Sequence, residues 1–498
     1  MGSLLEHLGA WEPFRAVVVG DFMVDEMVYG DAERLSADAP VPVLHVRRVE
    51  RNPGGAANLA LALAALGGKV AAVGVAGRDE AGDHLRDALD RAGIDTGGIA
   101  RDGSGRPTTV KRNLVGLAQQ RHPHKMFRVD YESREPVSDA LERELTTSLR
   151  RSMAAADVVC IEDYGKGVCT PALCQAVIAE AERIGVPVFV DPAKLTDYSR
   201  YRGCTAITPN RNEAEAATGL QTHTEGEASH NADLALALRR QLACEAVVLT
   251  LDRQGALLLE RGGDLLAVPT VAREVYDVTG AGDVFLAGLA AARANRMSWP
   301  DSVRLANVAA GLEVEVFGAQ PIPIERVHQQ VLAEASSQHG KLRTREQLLI
   351  EVRAWRRDGK RIVFTNGCFD VLHSGHVSLL ERAAARGDAL IVAINDDATV
   401  QALKGPGRPV NTQADRARVL SALGCVDRVV IFPEPTPAGL IEAVQPDVLV
   451  KGDEYSVEQI PGAEAVLARG GEVVRLPMVE GKSTTATVAR IRAHNVVE

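Results

Sequence analysis

No two cysteines in this 498-residue chain stand in C-x-x-C spacing, and their total, seven, is odd. That suits reduced thiols rather than a disulfide framework, and predicts a cytoplasmic location. Excess positive charge is also missing: the formal net charge is −10. A nucleic-acid surface draws its affinity from clustered cations that release counterions, so that class is excluded. The doublets Arg47-Arg48 and Arg356-Arg357 then read as solvated faces. No apolar run approaches the roughly 18 residues that a membrane span needs, and Glu6 stands where a myristoylation signal wants Ser or Thr. Aromatics make up 4% of the chain, with 46% hydrophobic and 24% charged residues, ordinary values for a soluble α/β protein. The length exceeds what one core organises and predicts two or three domains.

What is present is an alternation of short apolar strands with helices, which implies a parallel sheet covered on both faces. Residues 14–19 form an apolar run closed by Gly20-Asp21. Asp21 and Asp25 then lie just past a strand end, where open α/β sheets meet their ligands. Pro53-Gly54-Gly55-Ala56-Ala57-Asn58 leads into a small-residue helix, and its glycines let backbone amides approach a bound group. Strands are expected over 70–75, 157–161 and 186–190, and helices over 81–92 and 170–184. Between 108 and 129 the pattern becomes short, basic and β-rich, with Lys111, Arg112 and Arg128, and reads as a small lid over the sheet edge.

Two stretches carry phosphoryl chemistry. Asn210-Arg211-Asn212-Glu213 follows a short strand and opens a helix, so Asn210 and Glu213 sit one turn apart. Glu213 can hold a hydrated magnesium ion near nucleotide phosphates, although helix capping uses the same residues. Further on, Asp277-Val278-Thr279-Gly280-Ala281-Gly282-Asp283 runs into another helix. Gly280, Ala281 and Gly282 offer bare amides to a transferring phosphoryl group, with Asp283 in reach of a substrate hydroxyl. Over about 14–325 these motifs resemble the ribokinase-like sugar kinases. The resemblance implies that Asp283 is the general base, that the glycine loop is the anion hole and that the N-x-x-E segment serves Mg-ATP. It also places sugar contacts near Asp21, Asp25, Gly54, Gly55 and Asn58. The family often has Thr where this chain has Val278, a position that need not touch phosphate.

Residues 331–343 lose apolar periodicity and read as a linker between a first domain, 1–330, and a second, 344–498. Thr344 to Gln347 is a capping box opening the new domain. The stretch Thr365-Asn366-Gly367-Cys368-Phe369-Asp370, followed by His373-Ser374-Gly375-His376, reads as strand, tight loop and helix start, where two imidazoles can face an anion on the first-turn amides. Lys404 in a basic loop, Lys451 at a strand end, and Ser483, Thr484 and Thr485 before a last helix complete the candidate nucleotide contacts, with Asn366, Gly367, Phe369 and Asp370. Together they resemble the cytidylyltransferase-like nucleotidyltransferases, Rossmann-like in fold. In that family the H-x-G-H imidazoles stabilise nucleotide phosphates while an acceptor phosphate attacks the α-phosphorus.

Kinase first and transferase second, with NPGGAAN, EVYDVTGAGD, TNGCFDVLHSGHVS and LVKGDEY in register, the chain resembles the bifunctional heptose 7-phosphate kinase/heptose 1-phosphate adenylyltransferases. That implies ATP as substrate of both domains, Mg2+, sugar phosphates as partners, a homodimer through the kinase lid, and a separate phosphatase acting between the two steps. From charge alone, Lys111, Arg112 and Arg128 are expected to hold the 7-phosphate. The motif loops do not choose adenine over cytosine, so a cytidylyltransferase for an alcohol phosphate fits them too, as does a fusion in which one half only senses ligand.

Overall fold

A sheet whose central strands are apolar on both faces needs helices on both sides, and the sequence supplies them in alternation. The structure, a computed structural model, describes residues 2–117, 124–220, 228–270, 279–315 and 320–477. It divides into two compact units, Trp11–Val327, and Met1–Ala10 together with His328–Glu498.

The first unit is built on a nine-stranded sheet. Its spatial order is Leu265–Val268, Ala256–Glu260, Ala246–Thr250, Ala206–Ile207, Val188–Asp191, Val158–Glu162, Phe14–Gly20, Gly68–Gly77 and Asp95–Asp102. All pairings are parallel except two at one edge, where Ala256–Glu260 runs antiparallel to both of its neighbours, Leu265–Val268 and Ala246–Thr250. Val17, Val19, Ile161, Val190, Ile207 and Leu249 lie in one buried cluster on this sheet. Parallel register sets Glu162 beside Gly20 and Asp191 beside Glu162, so strand ends line up along one edge. There, Gly20 is obligatory, because a Cβ would come within 2.1 Å of the Glu162 carbonyl oxygen.

A four-stranded lid sheet has the order Pro42–Gly55, Phe22–Leu35, Thr109–Gly116 and His124–Tyr131. The sequence reading sees only its basic half. The 14-residue strands Phe22–Leu35 and Pro42–Gly55 escape it because charged residues interrupt their alternation and the pair of glycines at the end of the second reads as a loop.

In the second unit six parallel strands stand in the order Leu342–Arg343, Arg428–Phe432, Ala389–Asn395, Ile362–Gly367, Val448–Gly452 and Glu472–Leu476. Strand order reverses around Ile362–Gly367, and ligands of open α/β sheets enter at such a switch. Where the sequence suggests a linker over 331–343, the structure has the helix Ile324–His339 and then the strand Leu342–Arg343, already paired in the second sheet. Met1–Ala10 also groups with this second unit rather than with the residues that follow it. Chain order could not show that: Arg353 donates to the Gly9 carbonyl at 3.1 Å across 344 residues of sequence.

Candidate active sites

At the first site Gly280 takes a left-handed φ of 90° and starts the helix Ala281–Ala294, leaving its first-turn amides without intrahelical acceptors. Asp283 is 3% exposed in that first turn. Its Oδ2 accepts from Asn58 Nδ2 at 2.7 Å and its Oδ1 from the Tyr164 hydroxyl at 2.8 Å. Burial lifts the carboxyl to about 6, against the two hydrogen bonds and Lys111, which favour the ionised form. A base poised there takes a proton near neutrality. One oxygen each from Glu162, Asp191 and Asp283 lie within 4.8 Å of one another. Burial first, then neighbouring acids, push Glu162 and Asp191 well above the usual carboxylate range.

Asn210 and Glu213 form a capping box: Asn210 Oδ1 accepts from the Glu213 amide at 3.0 Å, and Glu213 Oε2 from the Asn210 amide at 2.9 Å. Arg211 reaches Gln254 at 2.9 Å, and Asn212 is exposed. Asp277 and Val278 lie outside the described residues.

Asp21 is 1% exposed. Its carboxylate accepts from the amides of Tyr164, Lys166 and Val168 at 2.8, 3.0 and 3.2 Å, so it braces the loop after Val158–Glu162. Gly54 instead leaves room for Asp25, since a Cβ there would lie 2.4 Å from Asp25 Oδ2. Gly55, at φ 54°, returns the chain into the helix carrying Asn58. Burial pushes Asp25 up, against Lys111, Arg128 and Lys125.

The three lid bases do not act together. Lys111 pairs in register with Asp25 on one side and Asp130 on the other, and Arg128 with Asn113, two residues along from Lys111. Side chains alternate across a strand. Arg112 therefore projects to the opposite face, where it and Arg51 bond the buried Glu26. Arg128 donates to Asp130 at 2.8 and 2.6 Å, and Lys111 Nζ stands 4.2 Å above the Tyr164 ring.

The second site is a cavity of about 450 Å³ lined by Asn366, Gly367, Phe369, His376, Lys404 and Lys451 among others. Phe369 holds a left-handed φ of 44°, a costly conformation for an aromatic residue that its burial enforces. His373 caps the helix Ser374–Ala384, and its amide donates to His376 Nδ1 at 3.4 Å. The two imidazoles stack with centroids 3.8 Å apart. Burial, then His373, lowers His376 to about 4, so it is neutral at pH 7. With Nδ1 accepting, Nε2 carries the proton. Lys451 Nζ donates to the Asn366 carbonyl at 2.9 Å, and burial brings it down to about 8.

Asp370 serves the site by holding a loop. Its carboxylate takes Arg408 and the amides of Val410 and Asn411 at 2.7 and 3.0 Å. Burial alone would raise Asp370, but these donors outweigh it and the net shift is downward. Arg416, fully buried, donates to the Cys368 carbonyl at 2.7 Å and to Asp397 at 2.8 Å, tying the loop after the strand Ile362–Gly367 to the helix Asp397–Lys404. Ser483, Thr484 and Thr485 lie outside the described residues.

Residues 14–325 match the pfkB family of carbohydrate kinases and residues 364–479 the cytidylyltransferase-like family. The bifunctional protein HldE of Geotalea uraniireducens is 42% identical over 484 residues, covering 97% of each chain. This chain belongs to the bifunctional HldE family. Its similarity to the HldE of Ectopseudomonas mendocina is 45% identity over 479 residues, 96% of this chain and 97% of that one. In fold, the first unit of this HldE-family chain is similar to Escherichia coli phosphofructokinase-2 in complex with potassium, with a TM-score of 0.55 at 18% identity, covering 65% of this chain and 99% of that one. Arabidopsis thaliana ribokinase complexed with ribose and ATP gives 0.50 at 23%, covering 64% and 99%. For this HldE-family chain, sequence reasoning missed Glu162, Tyr164, Asp191 and Arg416 as parts of the sites. Polar residues directly after the strands ending at Glu162 and Asp191 were the available signal; for Arg416, inside a helix, there was none.

Proposed function

We propose that the chain performs two separate steps of ADP-heptose synthesis in the cytoplasm. The first unit transfers the γ-phosphoryl group of ATP to the anomeric hydroxyl of heptose 7-phosphate, giving heptose 1,7-bisphosphate and ADP. A separate phosphatase then removes the 7-phosphate. The second unit joins heptose 1-phosphate to the adenylyl group of ATP, releasing pyrophosphate. The observation that carries this reading is the pairing, in one chain aligned end to end with HldE relatives, of a buried Asp283 at a glycine-led helix start with His376 on a cavity large enough for a nucleotide.

In the first step Asp283 takes the hydroxyl proton as that oxygen attacks the γ-phosphorus, and the amides at Gly280 to Gly282 face the charge on the phosphoryl oxygens. Lys111 and Arg128, on the site-facing side of the lid, hold the 7-phosphate; Arg112 is engaged with Glu26 instead. Magnesium suits the carboxylates here, because it favours hard oxygen donors and the buried Glu162 Oε2 has no hydrogen-bond partner among the described residues. Glu162 and Asp191 would hold it, with Glu213 beyond Asp191, and it would neutralise nucleotide phosphate charge.

In the second step His376 donates from Nε2 to the nucleotide phosphates, with Lys451 and Lys404 adding positive charge. The sugar phosphate oxygen bonds to the α-phosphorus as the bond to pyrophosphate breaks, without a covalent enzyme intermediate. A second copy of the chain is the partner for the lid, whose Phe127, Val46 and Val49 are 67%, 48% and 48% exposed.

The test is the product formed by purified protein from heptose 7-phosphate and ATP. Heptose 1,7-bisphosphate alone, and ADP-heptose with pyrophosphate once phosphatase is added, is the expected result. A nucleotide sugar formed from CTP in place of ATP would sink the adenylyl assignment.

A further inference from the structure

Three elements of the first unit meet on one residue. Tyr164 donates its hydroxyl to Asp283 Oδ1 at 2.8 Å, its ring lies 4.2 Å beneath Lys111 Nζ of the lid strand Thr109–Gly116, and its amide donates to Asp21 Oδ2 at 2.8 Å. We propose that Tyr164 is a positioning residue of the kinase reaction, fixing the carboxylate plane of Asp283 and seating Lys111 over the same site. The inference rests on Asp283 being the base.

A carboxylate on a short side chain rotates through a broad, two-fold well. Asn58 alone, on Oδ2 at 2.7 Å, leaves Asp283 free to pivot about that bond. A second donor on Oδ1, from a different element, removes the pivot and holds the remaining lone pairs in one direction. Asp283 also faces Asp25 and Lys111 from the lid and Glu162 and Asp191 from the strand ends, a set with more acids than bases. A phenol suits such a place: it donates a hydrogen bond without adding a cation that would quench the base. Its placement comes from Asp21, whose carboxylate gathers the amides of Tyr164, Lys166 and Val168 onto a buried strand end. The same ring face receives Lys111, so the lid and the base are referenced to one rigid group.

The experiment uses the full chain with ATP and sugar 7-phosphate. Tyr164→Phe should lower kinase kcat about tenfold or more while KM for sugar and ATP stays within about twofold, because the lost bond orients a reacting group rather than binds substrate. The adenylyl transfer rate of the same preparation should not change. Incorporating 3-fluorotyrosine at residue 164 keeps ring and donor, and should hold kcat within about twofold of the native chain. Unchanged kcat in Tyr164→Phe overturns the proposal, as does a loss confined to KM, or a fluorotyrosine chain as slow as the Phe variant. A Tyr164→Phe chain whose first unit no longer melts cooperatively overturns it too, since the hydroxyl would then hold the fold and not the base. Asp283→Asn, run alongside, separates the two readings. If Asp283→Asn stays active, the base assignment fails; if it is dead while Tyr164→Phe is native-like, only the role of Tyr164 fails.

Discussion

Lys451 and His376 are both desolvated in the second site, and burial moves each toward its neutral form, Lys451 to about 8 and His376 to about 4. The consequences differ in pH. Lys451 loses its charge as pH rises through about 8, so kcat/KM for adenylyl transfer should fall on that alkaline limb. Lys451→Arg, which stays charged, should move the limb upward in a pH–rate series. His376 is already neutral well below pH 7, so no limb near an ordinary histidine value is expected in kcat/KM. His376→Ala should cost at least ~100-fold in adenylyl transfer, and Asp283→Asn as much in the kinase assay. Each should leave the other reaction intact; equal slowing of both by either change would contradict independent sites.

At the scale of elements, loops are held by carboxylates that the motifs alone suggest as ligand contacts. Asp370 bonds Arg408 and two amides of the segment leading to the helix Gln413–Ser421, and thereby sets one wall of the nucleotide cavity. Asp370→Ala leaves Arg408 and those amides without their acceptor. It should lower the stability of the second unit by about 3 kcal/mol, read from denaturant melts, and raise KM for ATP. Because Asp370 is held below its unfolded value, its contribution is present above the unfolded pKa of about 3.9 and is lost as pH falls through the folded one. Melts of the native chain should therefore converge on those of Asp370→Ala at low pH. The lid strands teach the same lesson through alternation. Lys111 and Arg112 are neighbours in sequence but opposed in space, so one serves the site and the other the buried Glu26.

Each of the two units has its candidate site at the carboxyl ends of the strands of its main sheet. Apolar side chains on the lid, Phe127 above all, are the expected contact between two copies. Phe127→Asp should convert a dimer to monomers in sedimentation velocity while adenylyl transfer persists; an unchanged sedimentation coefficient would exclude the lid as the interface. Much of this architecture was legible in the sequence. Strand and helix alternation, the glycine-led helix at Gly280 and the H-x-G-H helix start are local patterns, determined by backbone preference and apolar periodicity within a few residues. They sufficed for two α/β units and led to Asp283, His373 and His376 as site candidates. Only the tertiary structure decided which polar groups face a site and which hold it up. Asp21 and Asp370 went to bracing loops, Asn210 and Glu213 to a cap, and Tyr164 and Arg416 came in from segments without a motif. The reason is physical: a buried polar group must find its partner wherever the fold brings one, and packed helices bring together residues far apart in the chain, such as Asn58 and Asp283.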